Sequence, residues 1–401
     1  MRRFLACALS VFVSCGMAPE GLDPLDGGPL PEPGVDAGQG DGMAPDAAAG
    51  ISAGEDAGLP DAGLVDAGLA DAGAPDAGRP DAGMPPPRPD AGMPPPRPDA
   101  GMPFSGINKV FVIALENQAA SAIYSSPNAP YLNGTLMTQG GYATMYADVL
   151  GSSVLSEPHY LWLEAGTNVF ADHTFTTDGN VTATNSTSST EHLVTQLANA
   201  PTPKTWRSYQ MGLDATSGAC PISGSGQYAP KHDPFVFFQD VSGNPPSKTN
   251  VDCAAHHRPY DAASFQADLR ANDVADYTFI TPDLCNDMHG GVCLNGCLGS
   301  FTIGTCVSTG DAWLAANVPA ILAYIATHDG VLFLVWDEPE AAGMQPFVVV
   351  GPHVKPGHAS PVGYSHSSYL KSLERIMRVP VLPTVAGAAD FGDFFEPGFF
   401  P

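Results

Sequence analysis

Three acidic segments each follow an apolar run of strand length. Glu116-Asn117 comes after Val110–Leu115, Asp283 comes after Tyr277–Thr281 across Pro282, and Asp337-Glu338 comes after Val331–Trp336. A single acid in such a place is ordinarily a solvated turn or a helix cap. Three of them in one chain predict a cluster of hard oxygen donors, the set that holds a divalent cation. The second segment continues as Thr281-Pro-Asp-Leu-Cys-Asn-Asp-Met-His289, where Asp283, Asp287 and His289 are spaced so that two side chains share one turn. In Ser156-Glu-Pro-His-Tyr160, Pro158 suits a first helical turn and places Ser156 at a helix start. A serine there is commonly an N-cap. The free N–H groups and positive helix end also suit an alkoxide or a phosphate, and a metal beside the hydroxyl would make it a nucleophile. His366, in Tyr364-Ser-His-Ser-Ser-Tyr369, is expected at the start of another helix.

The elements that must position these groups are legible as an alternation. Strand-length runs at Val110–Leu115, Tyr277–Thr281, Val331–Trp336 and Pro346–Gly351 are interleaved with helix-like stretches at 192–200, 262–273, 311–328 and 366–377. This order predicts an α/β fold with a mainly parallel central sheet and helices on both faces. The wholly apolar Val331–Trp336 fits a strand covered on both sides. Ligands in such sheets collect beyond the carboxyl ends of the strands, where all three acidic segments fall.

Composition divides the rest of the chain. Arg2 and Arg3 precede an apolar run from Phe4 to Val13, a signal-peptide pattern too short to span a bilayer. Val13-Ser14-Cys15 resembles a lipobox, so an exported bacterial lipoprotein with a signal over 1–15, lipidated at Cys15 and facing the cell surface or periplasm, is expected. Lipid would be its only membrane anchor. Residues 16–103 repeat Asp-Ala-Gly and duplicate Met-Pro-Pro-Pro-Arg-Pro-Asp-Ala-Gly; with few side chains to bury they are expected to form a disordered Pro/Gly/Asp-rich tether. All 4 tryptophans and 12 tyrosines lie in 104–401, the expected catalytic domain. The net charge of −26 argues against a nucleic acid partner, since nothing would neutralise phosphates in bulk.

Apart from Cys7 and Cys15, six cysteines remain: Cys220, Cys253, Cys285, Cys293, Cys297 and Cys306. In an exported protein they predict three disulfides, with Cys220–Cys253 one expected pair. The spacings within 285–306 lack the paired pattern of a structural zinc site.

Seven segments taken in order strengthen the chemical assignment. They are Phe111-Val-Ile-Ala-Leu-Glu-Asn117, Ser156-Glu-Pro-His-Tyr160, Lys231-His-Asp-Pro-Phe235, Thr281–His289, Gly310-Asp-Ala-Trp-Leu314, Val335-Trp-Asp-Glu338 and Tyr364–Leu370. Together they resemble the phosphoesterase family of bacterial phospholipases C and acid phosphatases, in the alkaline phosphatase superfamily. The resemblance implies an alkaline phosphatase-like fold and a hydrolase of phosphoric esters. It implies Glu116, Asn117, Asp337 and Glu338 as ligands of one divalent metal ion, with room for a second, and Ser156 as nucleophile. His289 and His366 are then expected to serve as general acid and hydrogen-bond donors, and His159, Lys231, His232, Asp283 and Asp287 to meet the substrate. His159 stands where the family usually has Asn, and Asp233 where Asn is common. A small phosphoester is the expected substrate and a phospholipid headgroup the alternative, the latter making the chain a phospholipase C-type phosphodiesterase. A non-catalytic surface binding module on the same fold would have no need of both acidic pairs.

Overall fold

The computed structural model describes residues 106–151, 153–214, 218–289, 303–339 and 343–401. The expectations for the signal, the tether, Cys15, Cys293 and Cys297 concern residues outside these. Eight strands are present among the described residues: β1 (Lys109–Leu115), β2 (Gly141–Tyr146), β3 (Trp206–Met211), β4 (His257–Tyr260), β5 (Tyr277–Thr281), β6 (Gly330–Trp336), β7 (Phe347–Val350) and β8 (His358–Tyr364). They form one sheet in the order β4-β3-β5-β1-β6-β7-β2-β8. Only β7 runs antiparallel to its neighbours among these strands. The five longest described helices are α1 (Ser156–Ala165), α2 (Leu193–Asn199), α3 (Ala262–Ala271), α4 (Ile303–Ile325) and α5 (His366–Met377).

Strand pleating splits the apolar residues between two cores. Val110, Val112 and Ala114 of β1 and Val331, Phe333 and Val335 of β6 pack with α1, α2 and α5. Their alternates Phe111, Ile113, Leu115, Leu332, Leu334 and Trp336 pack with α3 and α4. A sheet covered on both faces follows, which is why β1 and β6 carry no polar alternation. The helices end for local reasons. Asp261 caps α3 by accepting from Ala263 N and Ser264 N, and Asn272 in a left-handed conformation stops it. Ser365 and Ser368 form a reciprocal capping box at the start of α5. Gly166 ends α1 at φ +66°, where a Cβ would come 2.3 Å from Val385.

β4 and β8, at the two edges, contain Pro259 and Pro361 respectively. A missing N–H is tolerated there and discourages pairing with another chain.

Cys220 and Cys253 are joined, with Cα atoms 5.2 Å apart. Cys285 and Cys306 are disulfide-bonded as well. Alkylation of unfolded protein without reductant, followed by mass spectrometry, is therefore expected to modify none of the six cysteines between 220 and 306. Labelling of several would contradict the disulfide assignment.

Candidate active site

The site is built by register. β1 pairs in parallel with both β5 and β6, and Leu115 lies opposite Trp336. The residues after these strands therefore emerge side by side: Asp337 N donates to Leu115 O at 3.0 Å and Glu116 N to Asp287 O at 2.7 Å. Asn117 adopts φ +31°, a left-handed region that Asn tolerates better than most residues. It ties the two acidic pairs together, its backbone N–H donating to Asp337 Oδ1 at 2.9 Å and its Nδ2 to Glu338 Oε1 at 3.1 Å.

Ser156 is the first residue of α1 and is 2% exposed. The cap position belongs to Leu155, which supplies no side-chain bond. The serine hydroxyl instead faces two carboxylates, Glu116 Oε2 at 3.1 Å and Glu338 Oε1 at 3.3 Å. One turn on, Tyr160 donates its hydroxyl to Glu116 Oε1 at 2.6 Å. The 156/160 spacing puts both oxygens on one helix face, so Tyr160 was recoverable from periodicity.

Two histidines complete the shell around Glu116. His232 Nε2 lies 3.4 Å from Glu116 Oε1, its ring stacked on Tyr160 with centroids 5.2 Å apart. His289 Nδ1 lies 3.5 Å from Glu116 Oε2, with about a quarter of its side chain exposed (26%). Burial pushes Glu116 upward, but His232, His289 and Tyr160 outweigh it and hold this carboxyl far below the usual range. Asp287 and Asp337 go the other way, raised by burial and by the charge of Glu116. Burial, together with Glu116, also pushes Glu338 up to about 7. Burial pulls His232 down to about 4.

Several other predicted site residues are engaged by protein groups. His159 is wholly buried, with Nδ1 donating to Leu155 O at 3.0 Å and Nε2 to Asp148 Oδ1 at 2.9 Å. Burial opposes its charge, but the Asp148 and Leu155 bonds prevail and raise its pKa. Both ring nitrogens are thus engaged by protein. The same is true of His366: Nε2 donates to Asp337 O at 2.6 Å, so Nδ1 accepts from Tyr146 OH at 2.9 Å. Burial lowers it to about 3. Asp283 Oδ1 accepts from Cys285 N and Asn286 Nδ2, a local turn bond. Lys231 pairs with Asp178. That aspartate comes from a loop that Glu157 pins through Thr177, Gly179 and Asn185, each at 2.7 Å.

Asp148, Tyr146 and Asp178 carried no sequence signal, because they reach the site from a strand end and loops remote in the chain. Among the described residues no three His, Cys, Asp or Glu side chains stand in ligating geometry. The acidic pairs are joined through Asn117 and Ser156.

The fold is a mixed α/β sheet, and the candidate site, a serine among buried carboxylates, lies at the carboxyl ends of its parallel strands. The chain belongs to the Phosphoesterase family, whose model matches residues 103–380. It is 28% identical over 273 residues to a phosphatidylinositol-3-phosphatase of Mycobacterium tuberculosis, spanning 68% of this chain and 77% of that one. It is 25% identical over 170 residues to a phosphate-repressible acid phosphatase of Penicillium chrysogenum, spanning 40% of this chain and 36% of that protein. A solved alkaline phosphatase superfamily protein from Vibrio parahaemolyticus superposes with a TM-score of 0.46 at 11% identity, over 71% of this chain and 70% of that chain. The protein is a hydrolase acting on phosphoric esters.

Proposed function

We propose that the protein is an exported, surface-tethered phosphomonoesterase that requires one divalent metal ion and passes through a phosphoserine at Ser156. The observation that carries this is the Ser156 hydroxyl set between Glu116 and Glu338 at 3.1 and 3.3 Å. The donor set fits a hard cation. Asn117 Oδ1 and Asp337 Oδ2 are buried oxygens with no hydrogen-bond partner among the described residues, and burial together with the charge of Glu116 and Glu338 disfavours the Asp337 carboxylate. Glu116, Asn117, Asp337 and Glu338 would hold the ion. When bound, it supplies Lewis acidity toward the serine oxygen and charge neutralisation at the phosphate.

The chain's own residues do the remainder. Ser156 loses its proton toward the carboxylates it faces and attacks phosphorus in line; an Oγ–P bond forms as the bond to the leaving oxygen breaks. His289, the accessible histidine of the shell, gives the leaving alcohol its proton. Water then cleaves the phosphoserine and releases phosphate. His232 and Lys231 are assigned to the phosphate oxygens. His366 and His159, engaged on both nitrogens, are assigned to holding Asp337 and the start of α1, and the general acid role to His289, a quarter exposed beside Glu116.

The names of the two curated relatives, both phosphatases, favour a monoester. A phosphodiesterase acting on phospholipid headgroups is the second assignment. Purified protein is expected to hydrolyse an aryl phosphate at least about tenfold faster than an aryl phosphocholine or an aryl sulfate, a difference of roughly 1.4 kcal/mol in barrier. A faster phosphocholine reaction would reverse the order.

A further inference from the structure

Between Asp287 and His289 stands Met288, wholly buried and at φ +73°. A side chain of this size adopts that conformation at a cost and persists in it only where its surroundings enforce it. Two contacts do so. Gln118, itself 1% exposed and two residues beyond Glu116, donates Nε2–H to Met288 O at 2.7 Å. On the other side α4 presents Gly310, where a Cβ would lie 2.3 Å from Met288 Cγ and 2.9 Å from Asn286 O. Only a glycine lets the helix and the 286–288 backbone approach this closely.

The left-handed residue sets the directions of its neighbours. Asp287 turns inward, 1% exposed, and its Oδ1 accepts from His289 N at 2.9 Å. His289 is thereby carried to 3.5 Å from Glu116 Oε2. Neither Gly310 nor Gln118 has been assigned a contact with the reacting atoms.

We propose that Gly310 and Gln118 are positioning residues that hold Met288 left-handed and so place His289 at the reacting centre. This rests on His289 as the acid for the leaving group, and the test separates the two. The full chain and its variants are assayed on an aryl phosphate, whose leaving group departs without a proton, and on an alkyl phosphate, whose leaving group needs one. His289→Ala is expected to lose roughly a hundredfold or more in kcat on the alkyl ester and under about threefold on the aryl ester. Gly310→Ala and Gln118→Met are expected to repeat that pattern at about tenfold on the alkyl ester, with KM within about twofold. Gly310→Ala/Met288→Ala, which removes the colliding Cγ and leaves the 2.9 Å approach to Asn286 O, is expected to regain part of the lost alkyl-ester rate. A merely structural role would lower both substrates together, in proportion to the folded fraction. If His289→Ala loses both esters equally, the acid assignment fails and the inference with it. If His289→Ala shows the split and folded Gln118→Met and Gly310→Ala keep the wild-type ratio, the acid stands and the inference is overturned. Should Gly310→Ala fail to fold, Gln118→Met decides alone.

Discussion

Ser156→Ala is expected to fold, to melt within a few degrees of the wild type, and to lose at least three orders of magnitude in turnover on an aryl phosphate. A capping serine would behave differently, costing about 1 kcal/mol of stability and leaving chemistry intact. The structure already assigns the cap position to Leu155 and points the serine hydroxyl at Glu116 and Glu338. Its removal therefore takes one buried donor from two carboxylates, worth about 1 kcal/mol, and abolishes the covalent route. Tyr160 also donates its hydroxyl to Glu116, but it is a phenol already engaged there, and Thr167 bonds Val169 O, so neither offers an aliphatic hydroxyl to rescue the variant. Acid-quenched wild type should also carry phosphate on the peptide containing Ser156, and the alanine variant should not. A folded variant keeping more than about a tenth of the activity would exclude covalent catalysis at this residue, because tenfold is only about 1.4 kcal/mol of barrier.

The central strands were legible because burial on both faces leaves an uninterrupted apolar run. Tyr277–Thr281 has the observed bounds, and β1 and β6 gain only Lys109 and Gly330 at their starts. The outer strands were not. β4 reads His-Arg-Pro-Tyr and β8 reads His-Ala-Ser-Pro-Val-Gly-Tyr, compositions that suit a half-solvated edge and carry no periodic signal. α5 has the expected bounds because its apolar face repeats cleanly and Ser365 marks its start. α4 begins eight residues before the expected 311, through Thr305, Ser308 and Gly310, which are weak helix formers; Ser308 and Thr309 spend their hydroxyls on the Thr305 carbonyl.

At the site, the acidic pairs were legible for the same reason as the strands: the strand end fixes where the next two side chains go. What sequence could not convey is what holds each histidine ring. His159, His232, His289 and His366 all occur in short motifs. Only three-dimensional neighbours show that Asp148, Leu155, Tyr146 and Asp337 consume both nitrogens of two of them. Met288 is a similar case. Nothing in its type announces a left-handed backbone, which arises because α4 and Gln118 close on it from opposite sides.

Removing divalent metal is expected to abolish activity, lowering turnover at least a hundredfold after chelation with recovery on adding a divalent salt, and a carboxylate substitution separates this from unfolding. Asp337 is wholly buried, with Oδ1 accepting from Asn117 N and Oδ2 bonded to nothing among the described residues. Its charge is disfavoured by burial and by Glu116 and Glu338, which is tolerable with a cation and unfavourable without one. Asp337→Asn keeps an oxygen for the Asn117 bond and deletes the charge. In metal-free protein it should therefore raise the melting temperature, by roughly 2 °C for each kcal/mol of repulsion relieved. In wild type, added metal should raise the melting temperature with concentration, by about 2.7 kcal/mol of stability at a hundred times Kd, and in Asp337→Asn that response should nearly vanish. The variant should be inactive at every metal concentration in that range. Loss of activity through misfolding would lower the metal-free melting temperature instead, so the sign of the change decides between the explanations. Wild-type turnover persisting in protein shown by elemental analysis to be metal-free would refute the metal requirement, whatever the variant does.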